Sequence, residues 1–208
     1  MSRPILYGAD YSVYVRIARM ALEEKGVGYD LVPVDIFAEG GSPAWYLERH
    51  PFDRIPAFEH GTFQLFETAA ITRYIDEAFK GPPLQPADAK TSGVMNQVIG
   101  LIDSYAYRAM VWDVAVERLE HNPPDEKRIS AGLCTAETAL QTLAALKADN
   151  DWLIADRISL ADLHAAPVIA YFIKVEEGQK LVAAFPKLSD WWARISTRPS
   201  FLATEKAG

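Results

Sequence analysis

Three hydroxyl-bearing side chains lie close together near the start of the chain: Tyr7, Tyr11 and Ser12. Ser12 stands directly before an apolar run of helical period, Val13, Ile17, Met20, Ala21 and Leu22. That is the place of a helix N-cap, where a side-chain oxygen accepts a backbone N–H. It is also a place to hold an anion. A hydroxyl donating to a charged acceptor contributes about 1.5–3 kcal/mol, and a helix N-terminus adds roughly 0.3–1 kcal/mol. Arg16, one helical turn further on, is either electrostatic support for such a site or a solvated arginine. A second helix start, at Glu67 and Thr68, offers unbonded N–H groups to another anion. The four histidines lack metal-ligand spacing, so no metal is expected. Cys134 falls in an apolar helical run and reads as a small buried filler.

The elements that must position these groups follow two grammars. Residues 4–8 form a short apolar run ending in Gly8, and residues 29–34 alternate; both read as strands around a helix over residues 13–25. Strand, helix, strand in that order is a βαβ unit with parallel strands. Residues 42–50 begin Ser-Pro and read as a helix. Residues 55–58 and 62–65, separated by His60-Gly61, read as a hairpin, followed by a helix over 67–79. Residues 80–88, with Gly81, Pro82, Pro83 and Pro86, read as a linker. Beyond it the pattern is helical throughout, over 91–119, 126–148, 159–174, 178–184 and 187–196. Ser159 and Asp162 form a variant capping box, a structural reading for that aspartate. Pro167 is expected to kink its helix. The division is an α/β domain over 1–80, a linker over 81–88 and an all-α domain over 89–208.

Bulk properties exclude some roles. The net charge is -7, so the surface as a whole repels phosphate backbones and nucleic acid is not an expected partner. No apolar run has the length of a bilayer span, and no basic-then-apolar leader opens the chain, so neither membrane nor secretion is expected. A single cysteine allows no internal disulfide, which fits the reducing cytoplasm.

The order of the elements, with several local strings, resembles the cytosolic glutathione transferases, closest to the serine-type, phi-like group. The strings are Ala21 to Lys25 with the strand after it, Pro51-Phe52-Asp53-Arg54-Ile55-Pro56-Ala57-Phe58, and Phe66-Glu67-Thr68-Ala69-Ala70-Ile71. The resemblance covers nearly the whole chain. It implies a thioredoxin-like N-terminal domain, an all-helical C-terminal domain, and glutathione as co-substrate. It implies that Ser12 donates to the glutathione sulfur, with Tyr7 and Tyr11 as rivals because other classes use a tyrosine near this turn. It implies a cis Ile55–Pro56 bond, with the Ile55 backbone pairing with the cysteinyl part of the tripeptide as an added strand. Glu67 would take the γ-glutamyl ammonium, and Thr68 with its N–H the carboxylate.

The chemistry needs a thiolate. A thiol of pKa ~8.5 must gain about 2.7 kcal/mol of anion stabilisation to drop by ~2 units, which a hydroxyl at a helix start supplies. The electrophile is expected to be small and apolar, with Tyr11, Phe37, Tyr105, Tyr107 and Trp112 as possible walls of its pocket. A homodimer is implied, with residues 91–148 facing the partner. Two departures stand out. The phi-like group carries a His-Lys pair before the second helix to hold the glycyl carboxylate; here the stretch is Glu39-Gly40-Gly41-Ser42, leaving Arg54 or Arg49 as substitutes. His50 replaces the usual asparagine before Pro51. The alternatives are a non-catalytic binding or regulatory protein on this scaffold, or another glutathione-dependent activity such as a dehalogenase, isomerase or peroxidase.

Overall fold

The computed structural model describes residues 2–205; the expected end of the helical domain, residues 206–208, lies outside them. The chain forms two compact units: one up to Pro83, joined by the residues from Pro199 on, and the other Leu84–Arg198. The fold is a thioredoxin-like α/β domain and an all-helical domain, as the sequence patterns imply.

The first unit is built on strands β1 (Ile5–Tyr7), β2 (Asp30–Val32), β3 (Ala57–His60) and β4 (Phe63–Phe66), in the order β2-β1-β3-β4. β1 and β2 run parallel, with Leu6 opposite Leu31; β3 is antiparallel to β1 and β4, with Leu6 opposite Phe58 and Ala57 opposite Phe66. The hairpin turn falls one residue later than the sequence suggests, on Gly61-Thr62, because His60 still pairs with Phe63. Helix α1 (Val13–Glu24) follows β1 and buries Val15, Ile17, Ala18, Met20, Ala21 and Leu22; α2 (Thr68–Ala78) follows β4 and buries Ile71 and Ile75.

The expected helix over residues 42–50 is corrected to a single 3-10 turn, Ala44–Tyr46. Tyr46 N–H donates to Pro43 C=O at 2.8 Å, and the one longer bond, His50 N–H to Tyr46 C=O, ends at Pro51. A proline disfavours α geometry in the residue before it, so the helix has no room to propagate between Gly41 and Pro51.

One buried ion pair joins the far ends of α1 and α2. Lys25 Nζ lies 2.8 Å from Asp76 Oδ1, with side chains 3% and 6% exposed, and also donates to Pro82 C=O at 3.1 Å. Helix α9 (Pro199–Ala203) returns to the same unit. Its last carbonyls have no partner within the helix and are taken by arginines of α1: Arg16 donates to Phe201 C=O at 3.0 Å, and Arg19 to Thr204 C=O at 3.3 Å and Ala203 C=O at 3.5 Å.

The second unit is helical from Ala89 to Glu120 without a break: α3 (Ala89–Leu101), two wide π-type stretches (Ile102–Ala106 and Arg108–Val116), then α4 (Glu117–Glu120). It continues with α5 (Glu126–Lys147), α6 (Leu160–Phe172), α7 (Glu176–Ala183) and α8 (Pro186–Ile195). α5 approaches the second π-type stretch at Gly132, where a Cβ would stand 2.9 Å from Val114 Cγ2 and 3.2 Å from Ala109 C=O. Asp162 has the structural role expected of it. Fully buried, it accepts from Ser159 N–H and Oγ at 2.8 Å each, and from Leu153 N–H and Trp191 Nε1 at 2.9 Å each. Pro167 lies inside α6, whose helical run continues past it. Cys134 is corrected: its thiol is exposed on α5, because the helix turns Gly132 and Ala136, not Cys134, toward the core.

Breaking the Lys25–Asp76 pair removes the cation that faces a buried carboxylate. Lys25→Met is expected to lower the stability of the first unit by about 3–5 kcal/mol in urea unfolding, with much of the loss recovered in Lys25→Met/Asp76→Leu.

Candidate functional site

The turn after β1 places Ser12 at the start of α1. Ser12 has extended backbone angles (φ -75, ψ 127), and its Oγ accepts the Val15 N–H at 3.3 Å. A hydroxyl carries one donor and two acceptor sites. The cap therefore occupies a lone pair and leaves the O–H proton to donate elsewhere. The capping role and the anion-holding role are compatible, and the cap bond itself restrains the oxygen beside the helix N-terminus.

The two tyrosine rivals are committed to carboxylates. Tyr7, buried on β1, directs its hydroxyl at Glu59 Oε2, 3.2 Å away. Tyr11 donates to Asp35 Oδ1 at 2.6 Å. Burial first, and then Asp35, hold the Tyr11 phenol well above its ordinary pKa. Asp35 in turn is held below its ordinary value, by the Tyr11 hydroxyl and then by the Phe37 N–H it accepts at 2.9 Å. Asp35 was not legible as a site residue; the Tyr11 and Phe37 rings, 6.1 Å apart between centroids, meet around it.

Gly8 sets the approach of the next wall. A Cβ there would lie 2.4 Å from Val15 Cγ2 and 3.3 Å from Ile55 Cβ. The start of α1 and the Ile55 step are thus in close contact across a residue with no side chain. Ile55–Pro56 is cis, as expected, and Ile55 lies outside the β3 ladder, which begins at Ala57. Just ahead of it, the buried Tyr46 hydroxyl donates to Arg54 C=O at 2.6 Å and fixes the incoming loop.

Glu67 and Thr68 stand at the N-terminus of α2. Glu67 has φ +71 and ψ 112, outside the regions normal for a residue with a Cβ. Such a conformation costs of order 1–3 kcal/mol and is concentrated at functional sites. Its carbonyl accepts the N–H groups of Ala70 and Ile71, both at 2.9 Å, while its exposed side chain makes no cap bond. The carboxylate is thereby presented outward while the helix starts normally. Thr68 is buried at the first helical position.

The basic residues divide. Arg49 lies over the rings of Tyr7 and Trp45, 4.9 and 5.2 Å from their centroids, and 3.7 Å from Glu59, so it ties the 3-10 segment to the sheet. Arg54 is exposed at the entry to Ile55. Arg16 is engaged with α9, its guanidinium 4.0 Å from the Phe201 ring centroid; burial lowers its pKa. Of the expected pocket walls, Tyr11 and Phe37 come together, and Phe37 is 64% exposed. Tyr105 and Trp112 belong to the second unit, on its first and second π-type stretches, and Tyr107 lies between the two; Tyr105 is 63% exposed and the other two are half-buried. Among the described residues no cluster of His, Cys, Asp or Glu could hold a metal ion.

Known proteins share the sequence pattern and the fold. Residues 6–83 match the family model for the glutathione S-transferase N-terminal domain, and residues 109–199 that for the C-terminal domain. Glutathione S-transferase F13 of Arabidopsis thaliana is 30% identical over 95% of the chain and 92% of its own length. Glutathione S-transferase 3 of Zea mays is also 30% identical, over 97% and 93%. The solved structure of glutathione S-transferase III in its apo form superposes with a TM-score of 0.85 at 31% identity, covering 98% of this chain and 95% of that one. A glutathione S-transferase of Methylobacterium radiotolerans in complex with glutathione sulfonate superposes with a TM-score of 0.80 at 25% identity, covering 100% and 97%.

The close passage at Gly8 generates its own test. Gly8→Ala is expected to destabilise the protein by about 1–3 kcal/mol, because the added methyl overpacks against Val15 and Ile55. A shift of the urea midpoint at constant slope measures it.

Proposed function

Because the chain belongs to the glutathione S-transferase family, we propose that Ser12 ionises the thiol of bound glutathione and holds the resulting thiolate for transfer to an electrophilic carbon. The enzyme conjugates glutathione to electrophilic, mostly apolar substrates. Binding-only, dehalogenase, isomerase and peroxidase readings are not favoured, since the relatives described above are named transferases.

The observation that carries the choice of Ser12 is the state of the three hydroxyls. Tyr7 and Tyr11 are directed at carboxylates, and Ser12 accepts a bond while keeping its proton to donate. In the reaction the thiol proton leaves to solvent, and the Ser12 O–H donates to the sulfur anion. The sulfur lone pair then forms the C–S bond as the leaving group, or the π electrons of the acceptor, move away. The rest of the tripeptide lies along Ile55 and Pro56, where the Ile55 backbone, outside the β3 ladder, pairs with its cysteinyl backbone. Glu67 takes the γ-glutamyl ammonium, and Thr68 at the α2 N-terminus takes the carboxylate. Arg54 takes the glycyl carboxylate in place of the missing basic pair. This is a serine-type site. Tyr11 and Phe37 contact the electrophile. The enzyme works as a homodimer in the cytoplasm, and no helix among the described residues is long and apolar enough to cross a membrane.

Ser12→Ala is expected to lower kcat/KM for a generic aromatic electrophile at pH 7 by one or more decades, each ~1.4 kcal/mol being about tenfold. The deficit should shrink as pH rises toward the intrinsic thiol pKa of ~8.5 and the sulfur ionises unaided. Tyr11→Phe should keep the wild-type pH profile. A Ser12→Ala rate equal to wild type across this range would return the role to a tyrosine.

A further inference from the structure

His50 is a buried, ionisable side chain that the reaction described above does not use. Its residue is 3% exposed, and its Nδ1 is buried with no hydrogen-bond partner among the described residues. A buried polar group left this way carries an unrepaid desolvation cost and calls for an explanation. The ring is enclosed by aromatics. Its centroid lies 4.9 Å from Phe66, 6.4 Å from Phe52 and 6.5 Å from Tyr46, the last a stacked contact. Phe66 is the residue immediately before Glu67, whose backbone holds the strained φ of +71. The imidazole is therefore packed against the step that presents the Glu67 carboxylate.

We propose that His50 is a positioning residue for the γ-glutamyl end of glutathione: its neutral ring braces the Phe66–Glu67 step, and its protonation sets a cation beside Glu67 in competition with the substrate's ammonium. This rests on the reading that Glu67 receives that ammonium.

The charged and titratable groups around His50 define the sign. Burial comes first and disfavours the imidazolium; Glu67 favours it, Arg54 opposes it and Asp53 favours it weakly, so the pKa falls below the usual 6.5. Tyr46, stacked on the ring, is itself pushed to a higher pKa by burial and then by Asp53, so it stays neutral. At neutral pH His50 is uncharged, and the Glu67 carboxylate is left available to the ligand. Binding an ammonium at Glu67 offsets the anion that supports the imidazolium and adds a cation of its own. The His50 pKa is then lower in the complex than in the free enzyme. Glutathione affinity must therefore be constant above the free-enzyme pKa and fall as pH drops through it, with a proton released on binding. One linked proton limits that fall to about tenfold per pH unit.

The test uses S-methylglutathione, whose sulfur cannot ionise, with binding measured by titration calorimetry from pH 5.5 to 7.5 on the full chain. For wild type, affinity is expected to fall as pH is lowered, by no more than about tenfold per pH unit. Calorimetry in two buffers of different ionisation enthalpy should show net proton release over the same pH interval in which the affinity falls. His50→Asn and His50→Gln should bind with an affinity that does not vary with pH over the same interval, whatever their stability in urea. A wild-type affinity independent of pH without proton release, or a variant that keeps the wild-type slope, overturns the proposal. Glu67→Gln at pH 7.5 separates the two layers. A loss of affinity there supports the placement of the ammonium, so that a flat wild-type profile would then count against His50 alone. An unchanged affinity sinks that placement and the His50 role with it.

Discussion

The site depends on a surplus of hydrogen-bonding capacity in one small side chain. Helix α1 asks Ser12 for a lone pair and receives it through the bond from Val15 N–H. A carboxylate in the same place would cap equally well but would have no proton to give, and an alanine would do neither. The hydroxyl meets the structural demand with one part of its valence and keeps the other for a ligand. Its neighbours make that surplus usable. Tyr7 and Tyr11 have their own protons directed at Glu59 and Asp35, so they compete neither for the cap nor for the anion.

A different device operates at the other helix start. Glu67 makes no cap with its side chain and holds its backbone in a conformation that favours glycine. The carbonyl still feeds the first bonds of α2, so the local cost falls on one residue while the helix keeps its geometry. Strain of this kind persists only where the surroundings over-determine it. Here the surroundings are the β3–β4 ladder on one side and the α2 contacts on α1 on the other, locked at their far ends by Lys25 and Asp76. The two helices that open onto the site are thus registered by an ion pair remote from it.

The sequence made much of this legible, for physical reasons that can be named. The strands and the two helices of the first unit were readable because their apolar periods are clean and their boundaries carry glycine or proline. Ile55, Pro56, Glu67 and Thr68 stand out as candidates in the strings that carry the family resemblance, and Ser12 through its place directly before the first helix. The 42–50 stretch misled, because its Ser-Pro opening signals a helix while Pro51 forbids its continuation. Cys134 misled because an apolar run on a helix says little about which face each member takes. Asp35 and Gly8 were invisible. Their roles come from a contact 24 residues away in sequence and from a backbone approach that only three dimensions bring together. The unusual angles at Glu67 leave no mark on residue type at all.

The return of Pro199–Ala203 to α1 has a consequence for biogenesis. The α/β unit is discontinuous in the gene's order, since Arg16 and Arg19 close on carbonyls encoded after the whole of the helical unit. During synthesis the first eighty or so residues emerge with those two guanidinium groups still lacking their final acceptors. The nascent α/β unit waits for a late segment before its first helix is fully docked, and assembly of the platform that carries Ser12 is thereby coupled to translation of nearly everything downstream.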